Sequence, residues 1–164
     1  MTRHLTGHRS GFGVGWTHLT RFDEAEDNTG IAMAVLRLDA GGVWEETAAS
    51  ESAFLLMDGQ ATVAVGNQSH DLSRRSLFDQ GPSALHVAAG EKVRILTPGA
   101  AEFTVYRTAN RKRFRPALYR PADVADEPRG RGQVGDTCLR LVRTIFDRRN
   151  SDANAELVLG EVVT

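Results

Sequence analysis

Three glutamates close together in the chain, Glu45, Glu46 and Glu51, are the first candidates for chemistry. We expect them to cluster at the mouth of a barrel, because strand-like segments surround them. A carboxylate there could act as a general base, and Glu45 and Glu51 together with His86 could bind a metal ion. The alternative is structural. Charged side chains are mostly exposed, so the glutamates would form a solvated rim, and His86 would be a core or edge histidine with one hydrogen bond.

A second candidate group is the Arg-Gly-Arg-Gly segment that contains Arg129 and Arg131. Guanidinium groups bind carboxylates in a bidentate manner, so these arginines predict a site for an anionic ligand. The alternative is the flexible tip of a solvated arm, since residues 107–149 carry 12 of the 20 basic residues and only 5 of the 21 acidic ones. Aromatic residues are not interleaved with the arginines as base stacking requires, so we do not expect nucleic acid as a partner.

The other side chains that commonly ligate metals do not form a recognisable motif. His4 and His8 are four residues apart, a spacing that suits a helix, but Gly7 disfavours a helix there. The single cysteine, Cys138, excludes an internal disulfide and fits a reducing compartment, so we expect a cytoplasmic protein. We interpret Cys138 as a small, semi-buried residue, because no His or Cys pattern accompanies it.

The elements that must position these residues are β-strands. Residues 31–108 contain seven or eight short apolar segments at the 8–12-residue spacing of an all-β barrel or sandwich, and no helical periodicity competes. Residues 31–38 form the clearest strand. Asp58-Gly59 predicts a hairpin turn between strands 52–57 and 60–65, and Gly66-Asn67 predicts a second turn.

The flanking segments differ from this central barrel in character. We predict an N-terminal arm and edge strand over residues 1–30, the barrel over 31–108, and a wrapping arm with closing strands over 109–164. Residues 137–146 and 155–164 alternate as strands do. The chain stops on an apolar strand, which suggests the start of a missing second barrel. No apolar run approaches the roughly 20 residues of a membrane span.

The segment 42–59 resembles the first motif of the cupin superfamily. That motif has a glycine, two histidines separated by one residue, a glutamate further on, and a closing glycine. In this chain Glu45, Thr47 and Glu51 occupy the ligand places, and Gly59 occupies the closing place. The resemblance therefore implies the cupin barrel while its metal-binding histidines are absent.

The second cupin motif is matched in the same incomplete way. Residues 88–90, Ala-Ala-Gly, supply the turn, and Val93 lies near the place of the histidine. Together the two motifs imply a cupin-type jelly-roll β-barrel with an extended C-terminal arm and no metal bound in it.

Over its whole length the chain resembles the N-terminal half of the 5-deoxy-glucuronate isomerases of inositol catabolism, a bicupin family related to the 5-keto-4-deoxyuronate isomerases. The matching pieces occur in the family's order: VLRLDAGGVWEET, LLMDGQATV, LHVAAGEKV, YRPADVADEPRGRG and LVLGEVVT. The resemblance implies an aldose–ketose isomerisation of a sugar acid, with a divalent metal held by the second barrel, beyond residues 157–164.

Several expectations follow from this resemblance. The chain contains the barrel of an isomerase but not the metal ligands, so we expect little or no activity from it alone. The alternative is a metal-free cupin that binds a sugar acid or regulates. We expect Arg129, Arg131, Glu45, Glu51 and His86 to contribute to any ligand site. We also expect a homodimer, because apolar surface that a second barrel would cover promotes association.

Overall fold

The computed structural model describes residues 8–22 and 28–164, so the predictions for His4 lie outside the described residues. This part of the chain contains 12 β-strands, two single-turn 3₁₀ helices and no α-helix, which confirms the all-β prediction. The strands are β1 (Gly15–Thr20), β2 (Ile31–Leu38), β3 (Val43–Thr47), β4 (Ser52–Val65), β5 (Gln68–Arg74), β6 (Ser83–Val87), β7 (Lys92–Leu96), β8 (Ala101–Thr108), β9 (Ala117–Tyr119), β10 (Glu127–Arg129), β11 (Arg140–Phe146) and β12 (Leu159–Val163). None of the helices in the described residues is long and apolar enough to cross a membrane.

The strands form a jelly-roll barrel in which every pairing is antiparallel. One row runs β1-β2-β8-β4-β6-β9, and β4 continues into a second row, where its C-terminal half pairs with β5 and β7. Strand β3 pairs with β7 at the far side of that second row. The long strand β4 therefore belongs to both rows and holds them together.

The predicted hairpin at Asp58-Gly59 is wrong, because β4 passes through these residues without turning back. The pairing of β4 with β8 shifts register between Leu56 and Asp58, which marks a β-bulge. Gly59 has φ +95°, and a Cβ there would lie 2.2 Å from the carbonyl oxygen of Ala100. Glycine is required here for a bend and a close backbone approach. The second predicted turn, at Gly66-Asn67, is confirmed as the β4–β5 connection.

Apolar side chains fill the interior of the barrel. Along β4, Phe54 and Leu56 point inward and join a core that includes Leu36, Ile95 and Phe103. Side chains fill the interior of the barrel at these positions, because the members of this core are almost completely buried.

The outer face of β4 is buried as well, under the C-terminal part of the chain. Ala53 and Leu55 pack against Phe146, Leu157 and neighbouring apolar residues in a second core. Strands β10, β11 and β12 form a separate three-stranded sheet on this side, whereas β1 and β9 are part of the barrel sheet. The segment after β8 therefore covers the barrel instead of leaving it.

A cluster of charged side chains fixes the three-stranded sheet to the barrel. Glu161 of β12 accepts hydrogen bonds from Arg74 at 2.7 Å and from Arg143 at 2.9 Å. Both arginines also donate to the backbone carbonyl of Gln80. Arg74 is the fully buried last residue of β5. It is buried because Glu161, 87 residues later in the chain, supplies its counter-charge.

Candidate functional site

A cavity of about 350 Å³ opens at the end of the barrel where β2 begins and β8 ends; we call it the mouth pocket. Its lining comes from β1, β2, β8 and the residues that follow β1. The lining residues are Trp16, His18, Arg21, Phe22, Ala32, Met33, Ala34, Val105 and Arg107. This volume lies within the roughly 300–1,000 Å³ that is usual for small-molecule sites.

The pocket exists because two inward positions of β2 are alanines. Side chains alternate between the two faces of a strand, so Ala32 and Ala34 share the inward face with Leu36 and Leu38. The two leucines belong to the packed core, whereas the alanines are too small to fill the same space. The interior of the barrel is therefore filled by side chains near Leu36 and Leu38 and open near Ala32 and Ala34.

One wall of the pocket carries a partly buried ion pair. Nη2 of Arg107, at the inward-facing end of β8, donates a short hydrogen bond to Oε1 of Glu46 on β3. The two side chains are only 20% and 17% exposed. Nε of Arg107 is buried and has no hydrogen-bond partner among the described residues. Within the part of the chain that the structure describes, the guanidinium group therefore has donor capacity that is not used.

Two tryptophans hold this cation in place. The guanidinium carbon of Arg107 lies 4.5 Å from the ring centroid of Trp16, the geometry of a cation–π contact. Trp16 in turn stacks on Trp44, with centroids 5.3 Å apart and planes at 14°. Nε1 of Trp16 donates to Nδ1 of His18 at 3.3 Å. A cation beside an aromatic surface can bind an anion that also has an apolar face.

Glu51 lies elsewhere, fully buried between the barrel and the C-terminal segment. Its carboxylate accepts hydrogen bonds from His86 at 2.8 Å, Asn110 at 2.7 Å and the backbone N–H of Leu157 at 2.8 Å. The N–H of Glu156 donates to it as well, at 2.9 Å. Burial raises the pKa of Glu51, but these hydrogen bonds outweigh burial and lower the pKa from 4.5 to about 2.

The Glu51 cluster, which comprises Glu51, His86 and Asn110, is a structural tie. The His86 ring stacks on Phe146 at 4.2 Å and lies 4.9 Å from Phe114, so it is enclosed on both sides. The carboxylate oxygens of Glu51 are already engaged by several donors. Neither Glu51 nor His86 lines the mouth pocket. Glu51, in the loop before β4, is thereby joined to the backbone of Leu157, more than 100 residues later in the chain.

The structure separates the three glutamates that the sequence analysis grouped at the barrel mouth. Glu45 is on the outer face of β3, where it is 43% exposed and pairs with Arg94 at 3.1 Å and Lys92 at 3.7 Å. Glu46 faces inward to the pocket wall, because consecutive strand residues face opposite sides. Only Glu46, which was not carried forward as a site residue, lies beside the cavity.

The cupin metal site does not fit this chain. Of the residues at the ligand places, Glu45 and Thr47 are on the outer face, Glu51 is held in its own cluster, and Val93 is fully buried in the apolar core. In the described parts of the chain, His, Cys, Asp and Glu side chains form no group of three or more that could hold a metal ion. The mouth pocket therefore offers apolar contacts and the cationic side chains of Arg21 and Arg107, where metal-binding cupins offer imidazole and carboxylate ligands.

The remaining candidates lie on the surface of the three-stranded sheet. Arg129, at the end of β10, is exposed and pairs with Glu127 at 2.6 Å, and Arg131 is exposed two residues later. Neither lines the mouth pocket. Cys138 is exposed, not semi-buried, because it lies in the loop of residues 130–139 that connects β10 and β11.

Sequence reasoning missed Trp16, Glu46 and Arg107 as a group. A signal was available for Arg107, since it continues the inward-facing series of Phe103 and Val105 along β8 and places a charge where an apolar residue is expected. The contact with Glu46, which is 61 residues away in the chain, has no local signal.

Comparison with solved structures finds a similar architecture in two longer proteins, of which this chain covers about half. An IolB-like protein from Salmonella typhimurium aligns with a TM-score of 0.68 at 20% identity, over 82% of this chain and 51% of that chain. A protein from Pseudomonas aeruginosa described as glyoxylate-induced aligns with a TM-score of 0.64 at 13% identity, over 90% and 54%. A cupin superfamily protein from Desulfitobacterium hafniense aligns over 57% of this chain and 74% of that chain, at 17% identity and a TM-score of 0.45.

The chain thus spans about half the length of the first and second of these structures, and at these identities the likeness concerns the fold. The fold is a cupin-type β-barrel, as the sequence predicted. Comparison with curated proteins gives no match. The model of the KduI/IolB family matches residues 10–164, almost the whole sequence. The chain belongs to the KduI/IolB family.

Proposed function

We propose that this chain is a sugar-acid-binding cupin barrel that works without a metal, equivalent to the N-terminal half of a 5-deoxy-glucuronate isomerase. Membership of the KduI/IolB family supports sugar-acid chemistry. The mouth pocket supports binding, and the observation that carries the proposal is Arg107 held over Trp16 at its wall.

The functional groups of a sugar acid suit the side chains of Arg107 and Trp16 at the wall of the mouth pocket. Its carboxylate suits the guanidinium of Arg107, a lining residue whose buried Nε–H has no partner among the described residues. Its C–H-rich face suits the indole of Trp16, and the alanines of β2 leave about 350 Å³ for a single small molecule. A neutral sugar would gain the aromatic contact but not the ionic one, so the pocket should prefer the acid.

We do not expect this chain alone to catalyse an isomerisation. Moving hydrogen between adjacent carbons of a sugar requires a well-placed base, or a metal that holds both oxygens. Glu46, the carboxylate at the pocket wall, is bonded to Arg107, and Glu51 and His86 are bonded to each other away from the pocket. We expect this polypeptide to bind a sugar acid without isomerising it.

The test is a calorimetric titration of the protein with D-glucuronate, with D-glucose as the neutral control. We expect saturable binding of glucuronate that Arg107→Gln removes. Arg129→Gln and Arg131→Gln are matched controls, because they remove exposed guanidinium groups outside the pocket. Loss of binding in these two variants but not in Arg107→Gln would move the site to β10, and absence of binding at millimolar glucuronate would refute the proposal.

A separate assay addresses activity. Purified protein is incubated with 5-deoxy-glucuronate and an added divalent metal, and the ketose product is measured. We expect no turnover above the rate of the metal alone. Robust turnover by this chain would overturn the inactivity part of the proposal and leave the binding part standing.

We further propose that the protein is a cytoplasmic homodimer. Strand β12 pairs only with β11 among the described strands, so one of its edges is free to pair. Val158 and Val162, at or beside this edge, are 61% and 57% exposed. The exposed thiol of Cys138 suits a reducing compartment. Light scattering of the purified protein is the test, and a monomer at all concentrations would contradict the dimer.

A further inference from the structure

We infer that Glu46 is a built-in competitor for the mouth pocket: its carboxylate occupies Arg107 in the free protein and must be displaced by the carboxylate of an incoming sugar acid. This inference rests on the proposed function and deepens it, because it names the residue that sets the affinity and the charge preference of the site.

Glu46 engages only part of the Arg107 guanidinium, so an incoming carboxylate can displace it. Glu46 is bonded to Nη2 of Arg107, while Nε of the same guanidinium is buried and unpartnered among the described residues. A guanidinium group has five N–H donors and binds a carboxylate best through two parallel hydrogen bonds. A ligand that uses Nε and one Nη would bring its own carboxylate against that of Glu46.

The carboxylates of Glu46 and of a bound sugar acid would repel each other if both were at Arg107. Arg107 and Glu46 are only 20% and 17% exposed, so water screens the repulsion between like charges less than at an open surface. The pair is neutral as a unit, so a bound sugar acid would leave it with a net negative charge, while the other cation of the lining, Arg21, is exposed. Rotation of Glu46 away from Arg107 relieves this charge and gives the ligand access to the cation.

Glu46 is free to move in a way that Glu51 is not. Among the described residues, the hydrogen bond of the Glu46 side chain is the one to Arg107, and β3 is an edge strand that pairs only with β7. Glu51, by contrast, is fixed by hydrogen bonds from His86, Asn110 and two backbone N–H groups. Glu51 is therefore fixed, whereas Glu46 can be released from its partner.

Arg107 should remain in place after Glu46 leaves. Its guanidinium lies 4.5 Å from the Trp16 ring centroid, and Trp16 is itself stacked on Trp44. These contacts hold the cation independently of its counter-ion. Removing the charge of Glu46 should therefore expose a positioned cation instead of collapsing the site.

Glu46→Gln tests the inference, because it keeps the size and one acceptor oxygen while it removes the charge. The chain has two tryptophans, and both are in this site, so intrinsic fluorescence reports the binding of D-glucuronate directly. We expect Glu46→Gln to bind glucuronate about tenfold more tightly than the wild type. Glu45→Gln, which removes the neighbouring exposed charge on the outer face, should bind as the wild type does.

The outcomes separate the two proposals. If the wild type binds glucuronate and Glu46→Gln binds equally or more weakly, Glu46 positions Arg107 instead of competing for it, and the inference fails while the proposed function stands. If neither protein binds and Arg107→Gln behaves the same, both fail. Glu46→Ala, checked by thermal unfolding, serves as a second variant in case Glu46→Gln does not fold, and the same tenfold gain is expected of it.

Discussion

Replacing Glu51 with glutamine should remove the main tie between the barrel and the C-terminal segment. The pKa of this buried carboxyl is lowered from 4.5 to about 2, because the hydrogen bonds from His86, Asn110 and two backbone N–H groups favour the ionised form more than burial opposes it. Each pKa unit corresponds to about 1.4 kcal/mol, so the ionised carboxylate contributes about 3 kcal/mol to the free energy of unfolding at pH 7.

The pH dependence follows from the direction of this change. A carboxyl whose pKa is lower in the folded state stabilises the protein fully above the unfolded-state pKa near 4.5, and this contribution is lost as the pH falls through the folded-state pKa near 2. The difference in stability between the wild type and Glu51→Gln should therefore be about 3 kcal/mol at pH 7 and roughly half of that at pH 3.

Urea unfolding at several pH values measures this difference. The matched control is Glu156→Gln, because the side chain of Glu156 forms only an exposed pair with Lys112 while its backbone N–H still donates to Glu51. An exposed pair of this kind is worth about 0.2–1 kcal/mol. If Glu51→Gln were as stable as the control, or if its deficit did not shrink between pH 4.5 and pH 2, the structural role assigned to Glu51 would be refuted.

Three further predictions concern the pocket, the charged cluster and the bend in β4. Ala34→Leu should fill the mouth pocket and abolish glucuronate binding in a fluorescence titration, while thermal unfolding shows a folded protein. Glu161→Gln should lower stability in urea by about 3 kcal/mol, because it leaves the buried Arg74 without its counter-charge, whereas Arg143 keeps its pair with Asp126; a loss below 1 kcal/mol would contradict this. Gly59→Ala should destabilise by more than about 2 kcal/mol through its positive φ and its contact with the next strand, whereas Gly99→Ala, with open space around it, should change little in the same unfolding experiment.

Local pattern was sufficient for many of the strands. The predicted strand over residues 31–38 has the same bounds as β2, and the predicted strands 52–57 and 60–65 both lie in β4. Alternation of apolar and polar side chains is a property of neighbouring residues, so it can be recognised without the fold. Asp58-Gly59 was wrongly predicted as a hairpin turn, because the two residues have a high local propensity for turns. Gly59 is instead required because the backbone of Ala100 and Ala101, about 40 residues later in the chain, lies against it.

The sequence by itself determined the all-β class, the family resemblance and the absence of the paired histidines that cupin metal sites use. Only the tertiary structure decided which charged residues meet. It placed Glu51 with His86 in a buried tie, left Arg129 and Arg131 on the surface, and brought Glu46 to Arg107 at the mouth pocket. The physical reason is that a side chain's partner is set by the strand packed against it, and pairing between strands far apart in the chain leaves no trace in the local pattern.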